Sequence, residues 1–421
     1  MHDILVIGAG LTGLTAALTA AQAGSRVKVI AKGLGALHWS AGTIDVLGYT
    51  PGGKAVEQPI AEVSRLAPPH PYSLVGADGI RDALVWFREV AASSGVAYAA
   101  STANGLSDAN TWLPSPAGAR RPTFLSPDAQ AAGDLGRQAP ILVVGLDGMR
   151  DFFPELIASN LSKQGFQARA AHIPVSTVTD RRDFNTVQLA RALDDANTVR
   201  RVAAEISTHL QGGERIALPA IVGLDKHSDS MAALRQASGA DVFEIPTLPP
   251  SVPGIRLYRT LVARLETLGV RVEAGMEVIG FHADGDEIRW VETETSARPL
   301  RHRASKFFLA TGGILGGGFT GSSTGRLSED VFALPLSAPD KRSEWIRSEF
   351  LDPRGQPIFQ AGVTVNDSFQ PVDANKKVLY SNLWAAGGLL AHADSIRERS
   401  LEGLALATGR AATLALLHHA A

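Results

Sequence analysis

The chain has 421 residues, 45% hydrophobic and 19% charged, and its 40 basic and 42 acidic side chains give a formal charge of -2. That length suits two or three lobes at roughly 150 residues each. The composition supplies a large core and excludes disorder, and the charge balance argues against a dedicated nucleic-acid binder. There is no cysteine, which excludes disulfides, thiol nucleophiles, thiolate zinc sites and cysteine-ligated iron–sulfur clusters together.

The opening reads strand, loop, helix, strand. Asp3 to Ile7 is an apolar run suited to a buried parallel strand. Gly8-Ala9-Gly10-Leu11-Thr12-Gly13 follows, then a helical run from Leu14 to Ala23 stopped by Gly24, and a second strand from Val27 to Ala31. The apolar stretch from Ile4 to Ala23 has glycines spaced as a loop and lacks a basic leader, so it reads neither as a membrane span nor as a signal peptide. The expectation is a soluble, cytoplasmic chain.

Proline-rich stretches at Pro68-Pro69-His70-Pro71 and from Pro114 to Pro127 predict a loop-heavy middle, with a second strand–turn–helix unit from Ile141. One polar helix is predicted over about 185–210, and Pro246 to Ser251 reads as a rigid crossing between lobes. Helix 257–268, strands near 270–273, 277–283 and 287–294, a buried strand Phe307 to Ala310, a strand Leu383 to Ala386 and a final helix 401–418 complete the chain.

The first glycine loop carries the strongest chemical signal. A dinucleotide's pyrophosphate needs bare amides at a helix N-terminus, which a Cβ on Gly10 would obstruct; Gly8 permits the turn, and Gly13 lets helix and strand pack closely. The acid that such a fingerprint places at the end of the second strand is absent, and Ala31-Lys32 stands there. Lys32 reads equally as a phosphate or ribose contact and as a surface lysine. Ala310-Thr311-Gly312-Gly313 resembles the second glycine signature of two-dinucleotide-binding flavoproteins. Asn382 to Gly388 resembles their C-terminal strand, with Gly387 and Gly388 at the flavin and Gly388 where an Asp is usual. The fold expected is therefore α/β, a Rossmann-like FAD/NAD(P)-binding fold of the two-dinucleotide-binding flavoprotein type with an inserted second lobe. Residues 1–65 and 250–421 would form the discontinuous flavin domain and 66–249 the insert, a cap or a subunit interface.

Further segments resemble the B subunit of anaerobic glycerol-3-phosphate dehydrogenase: Ala36 to Asp45, His70 to Gly76, Pro246 to Ser251 with Gly254 to Leu257, Ala361 to Thr364, and the Asn382 strand. The chain departs from that family after Asp394, where Ser395-Ile396-Arg397-Glu398-Arg399-Ser400 replaces a glycine cluster. The resemblance implies a flavoprotein subunit holding FMN or FAD in a complex that oxidises sn-glycerol 3-phosphate to dihydroxyacetone phosphate and passes electrons to quinone. It implies partners too: a second flavoprotein subunit and an iron–sulfur membrane-anchor subunit, which would hold this chain at the inner face of the membrane. A stand-alone flavin oxidoreductase of the fumarate reductase or aspartate oxidase type, and a non-catalytic assembly subunit, are the competing readings.

In such folds the loop after the second strand meets the isoalloxazine ring, so Ser40, Gly42 and Thr43 are candidate flavin contacts. His38 admits three readings: a proton acceptor, a covalent flavin attachment, or a structural histidine bonded to backbone. Arg256 is either a bidentate donor to a phosphate or carboxylate, or half of an interdomain salt bridge. Arg191 and Asp195, one turn apart, read as a helix-surface pair.

Overall fold

The computed structural model describes residues 2–66, 68–99, 107–296 and 298–419. In chain order the principal elements are β1 (His2–Ile7), α1 (Leu11–Gln22), β2 (Val27–Ala31), α2 (Tyr72–Ser93), β3 (Ile141–Leu146), α3 (Pro154–Lys163), β4 (Ala168–Ile173), α4 (Ala196–His209), β5 (Arg215–Pro219), α5 (His227–Ser238), β6 (Val242–Ile245), α6 (Val252–Thr267), β7 (Val272–Ala274), β8 (Val278–Asp284), β9 (Glu287–Thr293), β10 (Leu300–His302), β11 (Ala304–Leu309), β12 (Leu383–Ala385) and α7 (Leu401–His418).

Contacts divide the chain into two units, one of Met1–Ala36, Asp45–Val90 and Leu261–Ala421, the other of Leu37–Ile44 and Ala91–Thr260. The first unit is built on a five-stranded parallel sheet in the order β7-β2-β1-β11-β12. Its central strand β1 is apolar on both faces, with Ile4 to Ile7 all buried, as a strand covered on both sides requires. Helix α1, buried from Leu11 to Ala20, runs beside α7, where Gly409 lets the backbone approach Thr12. Strands β8, β9 and β10 form a separate antiparallel sheet.

The second unit has its own four-stranded parallel sheet, in the order β6-β5-β3-β4. Its core gathers Ile141 to Val144, Ile216, Ala217, Val242 and Phe243 with apolar faces of α3, α4 and α5.

The boundaries differ from those expected at 65/66 and 249/250. Residues up to Val90 belong to the first unit because α2 is fastened there: the Trp86 indole donates to Gln22 Oε1 at 2.8 Å, and the Arg410 guanidinium lies 4.7 Å from the Trp86 ring. Conversely, residues 37–44 belong to the second unit. Gln130 Nε2 donates to Ala41 O at 2.7 Å, Ser251 Oγ donates to Ser40 O at 2.5 Å, and Ile44 bridges Leu125. The crossing expected at 246–251 lies inside the second unit, and α6 instead spans the boundary. The single helix expected over 185–210 is two, Thr186–Ala192 and α4, because Asp195 caps the second by accepting from Thr198 N at 2.9 Å. Asp195 is thus a cap rather than half of a surface pair with Arg191.

Candidate flavin site

Strand β1 leads into Gly8, which turns the chain at φ +119 and donates its N–H to Ile30 O at 2.8 Å. Helix α1 then starts with Gly10 as its N-cap and no side-chain capping bond. The three motif glycines do different work. A Cβ on Gly8 would sit 2.2 Å from Ala310 O, and one on Gly13 would sit 1.9 Å from Gly8 O, so both are demanded by packing. A Cβ on Gly10 would meet nothing within 4 Å. Gly10 therefore fronts open space at a helix N-terminus, where a phosphate can reach bare amides. Gly35 is a residue the sequence reasoning missed. Its φ is +72, and a Cβ there would lie 2.7 Å from Gly10 Cα, so the loop after β2 presses directly on the cradle.

The other two glycine signatures converge at the same edge of the sheet. Gly312 and Gly313 have φ +81 and +61, and a Cβ on Gly313 would lie 2.2 Å from Gly388 O. Gly387 donates to Thr408 Oγ1 at 2.9 Å, and a Cβ on it would strike Thr12 Oγ1 at 2.0 Å. Thr311 Oγ1 is buried with no hydrogen-bond partner. Bare backbone at Gly10 and an unsatisfied buried hydroxyl at Thr311 are features a phosphate-bearing flavin would complete, so the residues present fit that cofactor. Lys32 is placed differently. Its Nζ lies 2.6 Å from Glu277 Oε1 in an exposed ion pair at the end of β2.

Next to the N-terminus of α7 lies a buried polar cluster in which segments 70–76 and 395–400, noted separately in the sequence, meet. His70 Nδ1 accepts from Tyr72 N at 3.1 Å, so its Nε2 carries the proton and faces Glu398 Oε2 at 3.2 Å. Glu398 also accepts from Ser400 Oγ at 3.1 Å, and the Tyr72 hydroxyl donates to Val46 O at 2.7 Å. Arg399 pairs with Asp45 at 2.6 Å. Glu398, Arg399 and Ser400 of this cluster stand in segment 395–400, where Arg399 holds left-handed backbone at φ +48, as His392 just before the segment does at φ +76. Burial lowers the His392 pKa and keeps that ring neutral at neutral pH.

Ser40, Gly42 and Thr43 are engaged within the second unit. Ser40 Oγ accepts from Gly42 N at 3.0 Å, and Gly42, at φ +75, is pressed against Pro253. Thr43 is buried, and its hydroxyl accepts from Arg121 NH1 at 3.1 Å. The Ser40 and Thr43 side-chain oxygens thus each accept a hydrogen bond from within this unit. His38 packs on Tyr258 with ring centroids 5.3 Å apart, and its buried Nδ1 has no partner. Burial and the nearby Arg259 charge lower its pKa.

Arg256 does not serve as an open anion donor. It is buried, its NH1 donates to Glu244 Oε2 at 2.6 Å, and its Nε donates to Gly223 O at 2.9 Å. Its NH2 is shared among Val222 O, Gly223 O and Glu244 Oε1. The guanidinium is committed to an ion pair within the second unit, and the donors that a phosphate or carboxylate would need are taken up there.

The family model described as "FAD binding domain" matches residues 3–400. The probable B subunit of anaerobic glycerol-3-phosphate dehydrogenase from Halobacterium salinarum is 32% identical, with 97% of this chain and 96% of that protein covered. The B subunit of the Vibrio cholerae enzyme is 30% identical, covering 97% and 94%. Among solved structures, the chain is similar to 3-ketosteroid delta1-dehydrogenase from Sterolibacterium denitrificans, at 10% identity over 99% of each chain with a TM-score of 0.45. With matches that run almost end to end and glycine signatures that meet at one sheet edge, the chain is a flavoprotein and belongs to the family of anaerobic glycerol-3-phosphate dehydrogenase B subunits.

Proposed function

We propose that this chain is the flavin-holding subunit of a complex that oxidises sn-glycerol 3-phosphate to dihydroxyacetone phosphate and delivers the electrons to quinone. The observation that carries the reading is the near-complete match to relatives bearing that enzyme's name, 30% to 32% identical over 97% of the chain. The Gly8–Gly13 loop and the Thr311–Gly312 turn would hold the flavin phosphates, and Gly387 and Gly388 would line its ring end. A bound flavin supplies a two-electron acceptor for the hydride that leaves the alcohol carbon. The hydroxyl proton then needs an acceptor, and His38, whose pKa is lowered by burial and by the Arg259 charge, takes that role in this reading.

The electrons need a relay and a route to the bilayer. The chain has no cysteine for a cluster, and among the described residues no helix is long and apolar enough to cross a membrane. A second flavoprotein subunit and an iron–sulfur membrane anchor complete the assembly in this reading. Partner-free membranes containing quinone, supplied with purified chain and glycerol 3-phosphate, test it. Quinol should form only after the partner subunits are added, and rapid quinol formation by the single chain would overturn the subunit reading. Acid release of the cofactor followed by chromatography distinguishes FMN from FAD.

A further inference from the structure

Between Asp340 and Arg354 the first unit carries a segment with an unusual tip. Asp352 N donates to Glu349 O at 3.2 Å, which closes a turn with Phe350 and Leu351 at its two central positions. Such positions ordinarily go to Gly, Asn, Asp or Pro, because those residues suit turn geometry and water. Here they hold a phenylalanine 85% exposed and a leucine 86% exposed, with Ile346 56% exposed on the same segment. Single exposed apolar residues are ordinary on protein surfaces, whereas an adjacent aromatic–aliphatic pair standing almost wholly in water is not.

The tip is held rigidly. Buried Gln356 clamps both flanks: its Oε1 accepts from Arg347 N at 2.6 Å, and its Nε2 donates to Glu349 O at 2.8 Å and Phe350 O at 3.0 Å. Arg347 Nε donates to Gly355 O at 3.0 Å, and Arg354 grips Asp352 through Nε and NH2 at 2.9 and 2.7 Å. A floppy loop would fold its apolar side chains back onto the body; this one is fixed with them outward. That pre-organisation is what an interface anchor needs, because little ordering cost remains at binding.

We propose that Phe350 and Leu351 form a knob that seats in an apolar socket on another subunit of the dehydrogenase; this rests on the reading of the chain as a complex subunit. The charge around the tip favours a protein socket over a lipid surface. From Asp340 to Arg354 the segment has four acidic and four basic side chains, so an anionic leaflet gains no net attraction. A socket rimmed by both signs matches it, as the polar rim of a protein interface does. The knob is also tied to the segment that leads into α7, through Arg397 NH1 to Asp352 O at 3.3 Å.

The test is co-expression of the full chain with its partner subunits, with affinity measured between purified components. The double variant Phe350→Ser, Leu351→Ser should weaken assembly at least about tenfold, as loss of an interface anchor does, with flavin content and thermal midpoint unchanged. Gln356→Ala, which frees the turn without altering its tip, should weaken assembly by a smaller factor. Wild-type affinity in the double variant would overturn the knob and leave the subunit reading standing, whereas failure of the wild-type chain to bind any partner would overturn both. Flotation with phosphatidylcholine and phosphatidylglycerol vesicles that depends on Phe350 and Leu351 would make lipid the occupant and overturn the proposal. Self-association abolished by the same variant would do so in favour of a second copy.

Discussion

At the carboxyl end of β1 the chain presents Gly8, Gly10 and Gly13; at the carboxyl end of β5, the matching position of the other parallel sheet, it presents Ala220, Ile221, Val222 and Gly223. Both segments lead to a helix whose first residues lack a side-chain cap of their own. They satisfy that end differently. In the second unit the carboxylate of Asp194 accepts from Leu224 N at 2.8 Å, Asp225 N at 3.1 Å and Lys226 N at 2.8 Å. Glu244 accepts from Val222 N at 2.8 Å and pairs with Arg256. The protein thus supplies its own anion where the first unit leaves bare backbone for a cofactor's phosphate. A parallel sheet does not make a nucleotide site; leaving the helix N-terminus free of the chain's own carboxylates does.

The comparison breaks most severely at Glu244. Burial alone pushes its pKa up, but the charges of Arg256 and His227, with hydrogen bonds from Arg256 and Val222, outweigh that and hold it below the usual glutamate range. A depressed carboxylate stabilises the fold at pH values above its unfolded pKa, and that contribution is lost as pH falls through the folded one. Glu244→Gln leaves Arg256 buried and charged without its counter-ion, which costs about 3–5 kcal/mol. Denaturant titrations at neutral pH should show that loss. Repeated down to acid pH, they should show the difference from wild type narrowing below about pH 4.5, the ordinary carboxylate range.

The glycine loop yields a contrasting pair of variants. Gly13→Val forces side-chain atoms against Gly8 O and should cost about 3 kcal/mol, the upper end for overpacking a tight site, besides releasing flavin. A Cβ on Gly10 meets no atom of the described residues within 4 Å, so Gly10→Val should lose most of its bound flavin while far-ultraviolet circular dichroism and melting temperature stay near wild type. Equal destabilisation by both variants would remove the distinction between a packing glycine and a cradle glycine.

This contrast also marks how far the sequence could be read. The GxGxxG loop was legible because turn, cap and close packing are all set within six consecutive residues, and the glycine signatures at 312–313 and 387–388 follow buried strands in the same local way. The His70–Glu398 pair joins residues 328 apart in sequence, and no spacing announces such a pair. Arg256 showed a guanidinium at a helix start but not that Glu244, across the end of a sheet, would claim it. Thr43 is a further case, because its partner Arg121 lies 78 residues away in sequence.

A smaller effect separates the two helix ends further. Asp194→Ala removes the acceptor for three backbone amides in the turn that leads into α5 and should cost about 1–2 kcal/mol, the scale of losing a carboxylate that caps backbone amides. Flavin content should not change, since the change lies in the unit whose helix end is already filled. A fall in flavin occupancy matching that of Gly10→Val would mean that the second sheet also holds cofactor.

The smallest effect is expected at Lys32, and it bears on whether this chain has any substitute for the missing ribose acid. The Lys32 and Glu277 side chains are 70% and 45% exposed, and an ion pair so open to water is largely screened by salt. Hydrogen bonding and charge attraction from Glu277 raise the Lys32 pKa, so the ammonium stays protonated and turned to that carboxylate. Lys32→Ala should therefore change the affinity of cofactor-free protein for FMN or FAD by less than about twofold, whereas a charged hydrogen bond to phosphate or ribose would cost about tenfold or more. Titration followed by quenching of flavin fluorescence measures this directly. Glu277→Ala sharpens the result. If Glu277 only neutralises a surface lysine, flavin affinity is again unchanged. If it holds Lys32 away from the cofactor, its removal tightens binding, and tightens it more at low salt, because a freed ammonium then reaches the flavin's phosphate oxygens.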